Sequence, residues 1–153
     1  MTKKAPLIIK AATFAAGVLA ILGLSAGSAS AATYSYLLNQ QAPLGAGDYG
    51  TVTFDTNNPT HVYFQNLWLH DSDRDAAPAT MYSRILGANG QWESTGWIDT
   101  ARTTNPNWER YRVVDRTSRV GRINSVFVKM CEDDGNPNTG YHCSSWNRFY
   151  APA

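Results

Sequence analysis

Cys131 and Cys143 are the two cysteines of the chain, and eleven residues, EDDGNPNTGYH, separate them. A redox centre would want Cys-x-x-Cys spacing, which is absent. Zinc would need three or four ligands. Cys131, His142 and Cys143 offer themselves, but neighbours in an extended strand point to opposite faces, so His142 and Cys143 cannot easily share one ion. With no third thiol, the pair has one intramolecular pairing. A structural disulfide is therefore the expectation, provided the chain folds in an oxidising compartment.

Aromatic side chains are the second resource: five Trp, eight Tyr and five Phe. Most belong in a core, because rings pack well on pleated surfaces. Trp92 and Trp97 instead flank the polar turn-like ESTG, and Trp108 follows the loop TTNPN. Exposed rings of this kind stack on sugars or anchor protein contacts. Trp92 and Trp97 are an odd number of residues apart, so a regular strand would turn them to opposite faces. Arg110 and Arg112 share the parity of Trp108 and would share its face. They could form a rim that pairs with carboxylate or phosphate. The plainer reading is a polar strand face balanced by Glu109 and Asp115. The expected ligand-binding set is Trp92, Trp97, Trp108, Arg110 and Arg112.

The acids suggest calcium only loosely. Asp71, Asp73 and Asp75 alternate like the start of an EF-hand, but Ala76 replaces the turn glycine and Tyr82 replaces the bidentate glutamate. Glu132, Asp133, Asp134 and Asn136 make a second loose candidate. No cofactor is required by any motif. Catalysis fares worse still. The three histidines, His61, His70 and His142, accompany no Gly-x-Ser-x-Gly, no His-Glu-x-x-His and no phosphate-binding glycine loop. Paired carboxylates for glycoside cleavage depend on a separation that sequence cannot supply. A small secreted hydrolase is thus the third reading of function.

Residues 1–31 look like a secretory signal peptide. Lys3 and Lys4 precede an apolar run after Lys10, and Ala29-Ser30-Ala31 fits the small-x-small cleavage rule. The run is short for a membrane span, which wants roughly 20 apolar residues. Such a leader suits a bacterium. Cleavage leaves one domain, 32–153, and removes three of the thirteen basic residues but none of the twelve acids, for a net charge of −2. That balance excludes general affinity for nucleic acid, which depends on phosphate neutralisation, and a polybasic grip on a membrane.

What remains must position these groups. Short β-prone runs at 33–40, 48–55, 61–71, 80–86, 91–99, 108–115, 122–131 and 141–150 are each ended by Gly, Pro, Asn or Asp. The most apolar, HVYFQNLWLHD, should lie centrally. No helical period intervenes. Seven or eight strands so spaced predict an all-β fold, an antiparallel β-sandwich of jelly-roll or immunoglobulin-like type with one disulfide, with a closed β-barrel as the lesser alternative. Cys143 would staple a long hairpin loop. The expected activity is extracellular binding of a carbohydrate or cell-surface polymer through exposed aromatics. The alternative is a secreted effector or protease inhibitor that presents the clipped 132–142 loop to a protein partner. Protein recovered from culture fluid should begin near Ala32 and weigh about 2 Da less than its reduced form. An intact mass that retains residues 1–31, or two free thiols, would refute the assignment.

Overall fold

The computed structural model describes residues 33–72, 77–93, 98–133 and 140–153. Among these residues nine strands follow in order: β1 (Thr33–Gln41), β2 (Gly47–Asp55), β3 (His61–His70), β4 (Ala79–Gly87), β5 (Ile98–Thr103), β6 (Glu109–Thr117), β7 (Ile123–Asp133), β8 (Tyr141–Cys143) and β9 (Asn147–Tyr150). One antiparallel sheet runs β1-β2-β3-β6, and the other runs β5-β4-β7, with β8 and β9 both paired to the far side of β7. The chain changes sheet after β3, after β5 and after β6. The sheets face each other as a sandwich and do not close into a barrel.

Alternation explains which faces meet. In β2, Val52 and Phe54 turn inward while Thr51 and Thr53 turn out; in β7, Val126, Val128 and Met130 are buried opposite Phe127 and Lys129. Phe64, Leu67 and Leu69 of β3 complete the first layer, and Met81 and Ile85 of β4 the second. Tyr36 spans the gap. Its ring packs edge-on to Phe54 and tilts against Phe149, and its hydroxyl donates to the Tyr150 carbonyl at 2.8 Å.

Three elements differ from expectation. Of the strand predicted over 91–99, Trp92 makes an isolated bridge to Leu86, residues 94–97 lie outside the described residues, and Ile98 and Asp99 open β5, which pairs with β4 and runs on to Thr103. Its residues include Thr100 and Thr103, both buried; Thr100 shares a hydrogen bond with Ser83, so hydroxyl pairing replaces apolar packing there. The closing segment divides in two, because β8 pairs with residues 131–133 of β7 and β9 with residues 125–128. Cys131 and Cys143 are direct cross-strand partners and form the disulfide.

One end of the interior is polar. The Gln40 side chain donates to the Val128 carbonyl at 3.0 Å and accepts from Ser144 Oγ at 3.0 Å, which ties the sheets together. Beside it, Asp48 Oδ1 accepts from the Gln40 amide at 3.1 Å, and Glu132 Oε2 accepts from the Ala46 amide at 3.1 Å. Burial disfavours the Asp48 carboxylate and pushes its pKa from 3.8 up to about 7, against the lowering effect of the Gln40 amide.

Two stability outcomes follow from these contacts. Reduction of Cys131–Cys143 should lower unfolding free energy by about 3 kcal/mol in a urea titration, given the length of the closed loop. For Asp48 the folded state binds its proton more tightly than the unfolded chain. Its stabilising contribution is complete below about pH 4 and is lost as pH rises through about 7. Asp48→Asn should flatten that slope, with a difference on the order of 4 kcal/mol across the window. Parallel slopes for the two proteins would contradict the assignment.

Candidate functional site

The outer face of the first sheet carries an aromatic platform, and a break in β3 puts it there. Val62 and Phe64 point inward, and so do Leu67 and Leu69. Strict alternation cannot bury both pairs. The chain reconciles them at Asn66, which adopts a left-handed backbone with φ 49°. Asparagine tolerates that region better than most residues. The β2–β3 register slips at this point, so that Gly50 alone faces the bulge between Tyr49↔Trp68 and Thr51↔Gln65. A Cβ on Gly50 would come within 3.0 Å of the Gln65 carbonyl oxygen and of the Leu67 Cα. Beyond the bulge, Trp68 and His70 therefore face outward.

Register then sets neighbours side by side. Asn39, Tyr49, Trp68 and Arg110 form one row across β1, β2, β3 and β6. Gln41, Gly47 and His70 form the next, and Trp108, just before β6, lies against His70. Trp108 stacks on His70 at 4.1 Å between centroids and tilts against Tyr49 at 4.8 Å; Tyr49 stacks on Trp68 at 6.0 Å. The Arg110 guanidinium lies 5.8 Å from the Trp68 ring centre. Gly47 is the floor beneath the stack, since a Cβ there would meet His70 Cε1 at 2.7 Å and Trp108 Cη2 at 3.4 Å. Trp108 and Tyr49 remain 42% and 40% exposed, and Asn39 and Gln41 are exposed beside them.

The approach to Trp108 is fixed by hydrogen bonds. The Asp71 amide donates to the Asn105 carbonyl at 3.0 Å, which anchors the loop to the end of β3. The Asn105 amide donates to Thr103 Oγ1 at 3.0 Å, and the Asn107 amide to Asn105 Oδ1 at 2.9 Å, a side-chain turn that asparagine favours. Thr103 Oγ1 in turn donates to Glu109 Oε2 at 2.6 Å, across the base of the loop. The opposite end of the same face is polar, with His61 3.8 Å from Asp115.

Of the residues singled out by sequence, Trp108 and Arg110 come together here. Among the described residues Arg112 does not join the ring contacts. Tyr111 and Val114 both pack on the core, so alternation reverses between them, and Arg112 and Val113 are both exposed at the reversal. Trp92 lies on the other sheet, where Arg84 covers one face of its indole at 3.9 Å and Phe127 packs against it at 5.0 Å. Trp97 lies outside the described residues, as do Asp73, Asp75, Asp134 and Asn136. Asp71 and Glu132 are described, and both are buried rather than displayed on a loop. Among the described residues no three His, Cys, Asp or Glu side chains gather as metal ligands do. Sequence reasoning missed Tyr49, Trp68 and His70. The available signal was the break in apolar alternation at Gln65-Asn66. Comparison with family models, with curated proteins and with solved structures finds no match.

Proposed function

We propose that this protein is exported and binds an extracellular carbohydrate through the platform of Tyr49, Trp68, His70 and Trp108. The observation that carries the reading is a half-exposed indole, Trp108, held in place by His70 and Tyr49 over a residue with no side chain. A flat apolar ring already immobilised loses little conformational entropy when a sugar stacks on it. The flanking groups suit hydroxyls: the amides of Asn39 and Gln41 both donate and accept, and Arg110 donates in a planar fork. The site is an open face, not a cleft, which fits one side of a polymer better than an enclosed small molecule. The disulfide and the all-β sandwich agree with an oxidising exterior.

Titration of the exported protein with soluble cello-, chito- and xylo-oligosaccharides should shift and quench its tryptophan fluorescence. Trp108→Ala should weaken binding by roughly 2 kcal/mol, about 30-fold, without loss of fold. Unchanged affinity in that variant, or no spectral response to any glycan, would overturn the reading.

A further inference from the structure

The disulfide has a chemical setting that a staple alone does not require. Register puts Thr80, Cys131 and Cys143 in one row on the outer face of the second sheet, with Tyr82 and Lys129 in the next. Beside the sulfurs a cavity of about 200 Å³ opens between Tyr82, Lys129, Tyr141 and the two cysteines. Tyr82 and Tyr141 meet edge to face at 6.4 Å and form its walls, and Tyr141 is 54% exposed. The bond is thus part of a surface that a small molecule can reach. The two cysteines are not equivalent there. Cys131 is 1% exposed, whereas Cys143 is half-buried.

A cation stands against the more accessible sulfur. Lys129 Nζ donates to Cys143 Sγ at 3.3 Å. The same ammonium lies 5.7 Å from the Tyr82 ring and 5.2 Å from the Trp146 ring, so contacts independent of the sulfur hold it there. A cation so placed stabilises a thiolate more than a disulfide. Partial burial and the nearby Arg84 charge lower the Lys129 pKa, so a thiolate at Cys143 and the ammonium would each favour the other's charged form. Glu132 and its register partner His142 alternate to the inner face, where Glu132 is buried. Asp133 faces outward, opposite Tyr141 and one outward position beyond Cys131. It opposes a thiolate, but Lys129 is the group in direct contact with the sulfur.

β8 is held by more than the bond. The Ser144 amide donates to the Met130 carbonyl at 2.8 Å, and the Met130 amide donates to Ser144 Oγ at 3.0 Å. That hydroxyl donates in turn to Gln40 Oε1 at 3.0 Å. Opening the sulfurs therefore leaves Cys143 beside Lys129.

We propose that Cys143 is a thiol-exchange site, at which a small external thiol opens the disulfide while the protein stays folded. The thiolate of that reagent enters by the cavity and attacks Cys143 Sγ, since access decides which sulfur reacts. A bond forms between the reagent sulfur and Cys143 Sγ as the Cys131–Cys143 bond breaks. The electron pair leaves on Cys131 Sγ, which takes a proton from water. A second thiolate then attacks the reagent sulfur of the mixed disulfide. The reagent departs as its own disulfide, and Cys143 is released as a thiolate beside the Lys129 ammonium. Two electrons pass from two thiols to the protein. Reoxidation by a small disulfide runs the same steps in reverse. The bond is thereby a reversible clasp as well as a staple. It lies on the other sheet from Trp108 and does not depend on the carbohydrate reading.

The test is incubation of the oxidised exported protein with reduced glutathione, with acid quenching at intervals and peptide mapping by mass. A glutathione adduct should form on Cys143, at a rate proportional to glutathione concentration and unchanged by urea below the unfolding transition. Reduction that accelerates with urea in step with global unfolding would overturn the proposal, and so would an adduct confined to Cys131. In the fully reduced protein, iodoacetamide at pH 7 should alkylate Cys143 about tenfold faster than it does in Lys129→Gln, the effect of one pKa unit. Equal rates in the two proteins would overturn the part given to the lysine. Added salt tests the same contact in the unmodified sequence, which covers the case in which the lysine variant fails to fold. It should slow Cys143 alkylation by screening the ammonium, and a rate indifferent to salt would count against the contact.

Discussion

One backbone irregularity decides what the first sheet buries and what it displays. At Asn66 the β3 chain takes a left-handed step, and Gly50 of β2 makes room for it. Without the bulge, a strand that buries Val62 and Phe64 would also bury Trp68 and His70 and turn Leu67 and Leu69 to water. The bulge avoids that conflict. It keeps four large apolar residues in the core and moves two rings to the outer surface, where Tyr49 and Trp108 can stack on them. The fold and the candidate site therefore share one origin. A larger residue at position 50 would press on both.

The two outer faces show two ways of holding rings on an open sheet. On the first, rings rest on one another across strands, and a glycine lets the outermost pair lie low. Cross-strand pairs of this sort stabilise the sheet as well as shaping its surface. On the second, cations are inserted between rings, so the surface is as aromatic but carries positive charge. Beneath the platform, Gln40 reaches from β1 to the Val128 carbonyl and receives Ser144, so the two layers are joined by hydrogen bonds as well as by apolar contact. In a buried setting such bonds fix the relative placement of sheets more narrowly than apolar packing does.

Much of the fold was legible because it rests on alternation. TVTF in β2 and SVFVKM in β7 read directly as an apolar inner face and an opposite outer face, and both fall on the expected sides, although outer positions such as Thr53 and Ser125 are themselves covered by neighbours. The strand β5 was only partly legible, because beside the small Ala101 its buried positions Thr100 and Thr103 are threonines whose hydroxyls bond Ser83 and Glu109, and so polar a run does not stand out as a strand. The platform was half legible. Trp108 and Arg110 stood out by context, whereas Trp68 lay within the most apolar run, which pointed to a central strand and gave no sign of an exposed ring. Central placement of β3 between β2 and β6 was right. Its consequence for the outer face was not, because residue parity carries no information across a bulge.

The bond between β7 and β8 also alters what a protease can accomplish. Residues 132–142 are enclosed by a covalent ring closed through sulfur. A single hydrolysed peptide bond anywhere in that ring would sever the linear chain yet release nothing, since both halves stay tethered. The C-terminal piece, with β9 in its place on the sheet edge and Phe149 in the core, would remain docked as a two-chain molecule. Damage of that kind would be silent until a reductant parted the sulfurs.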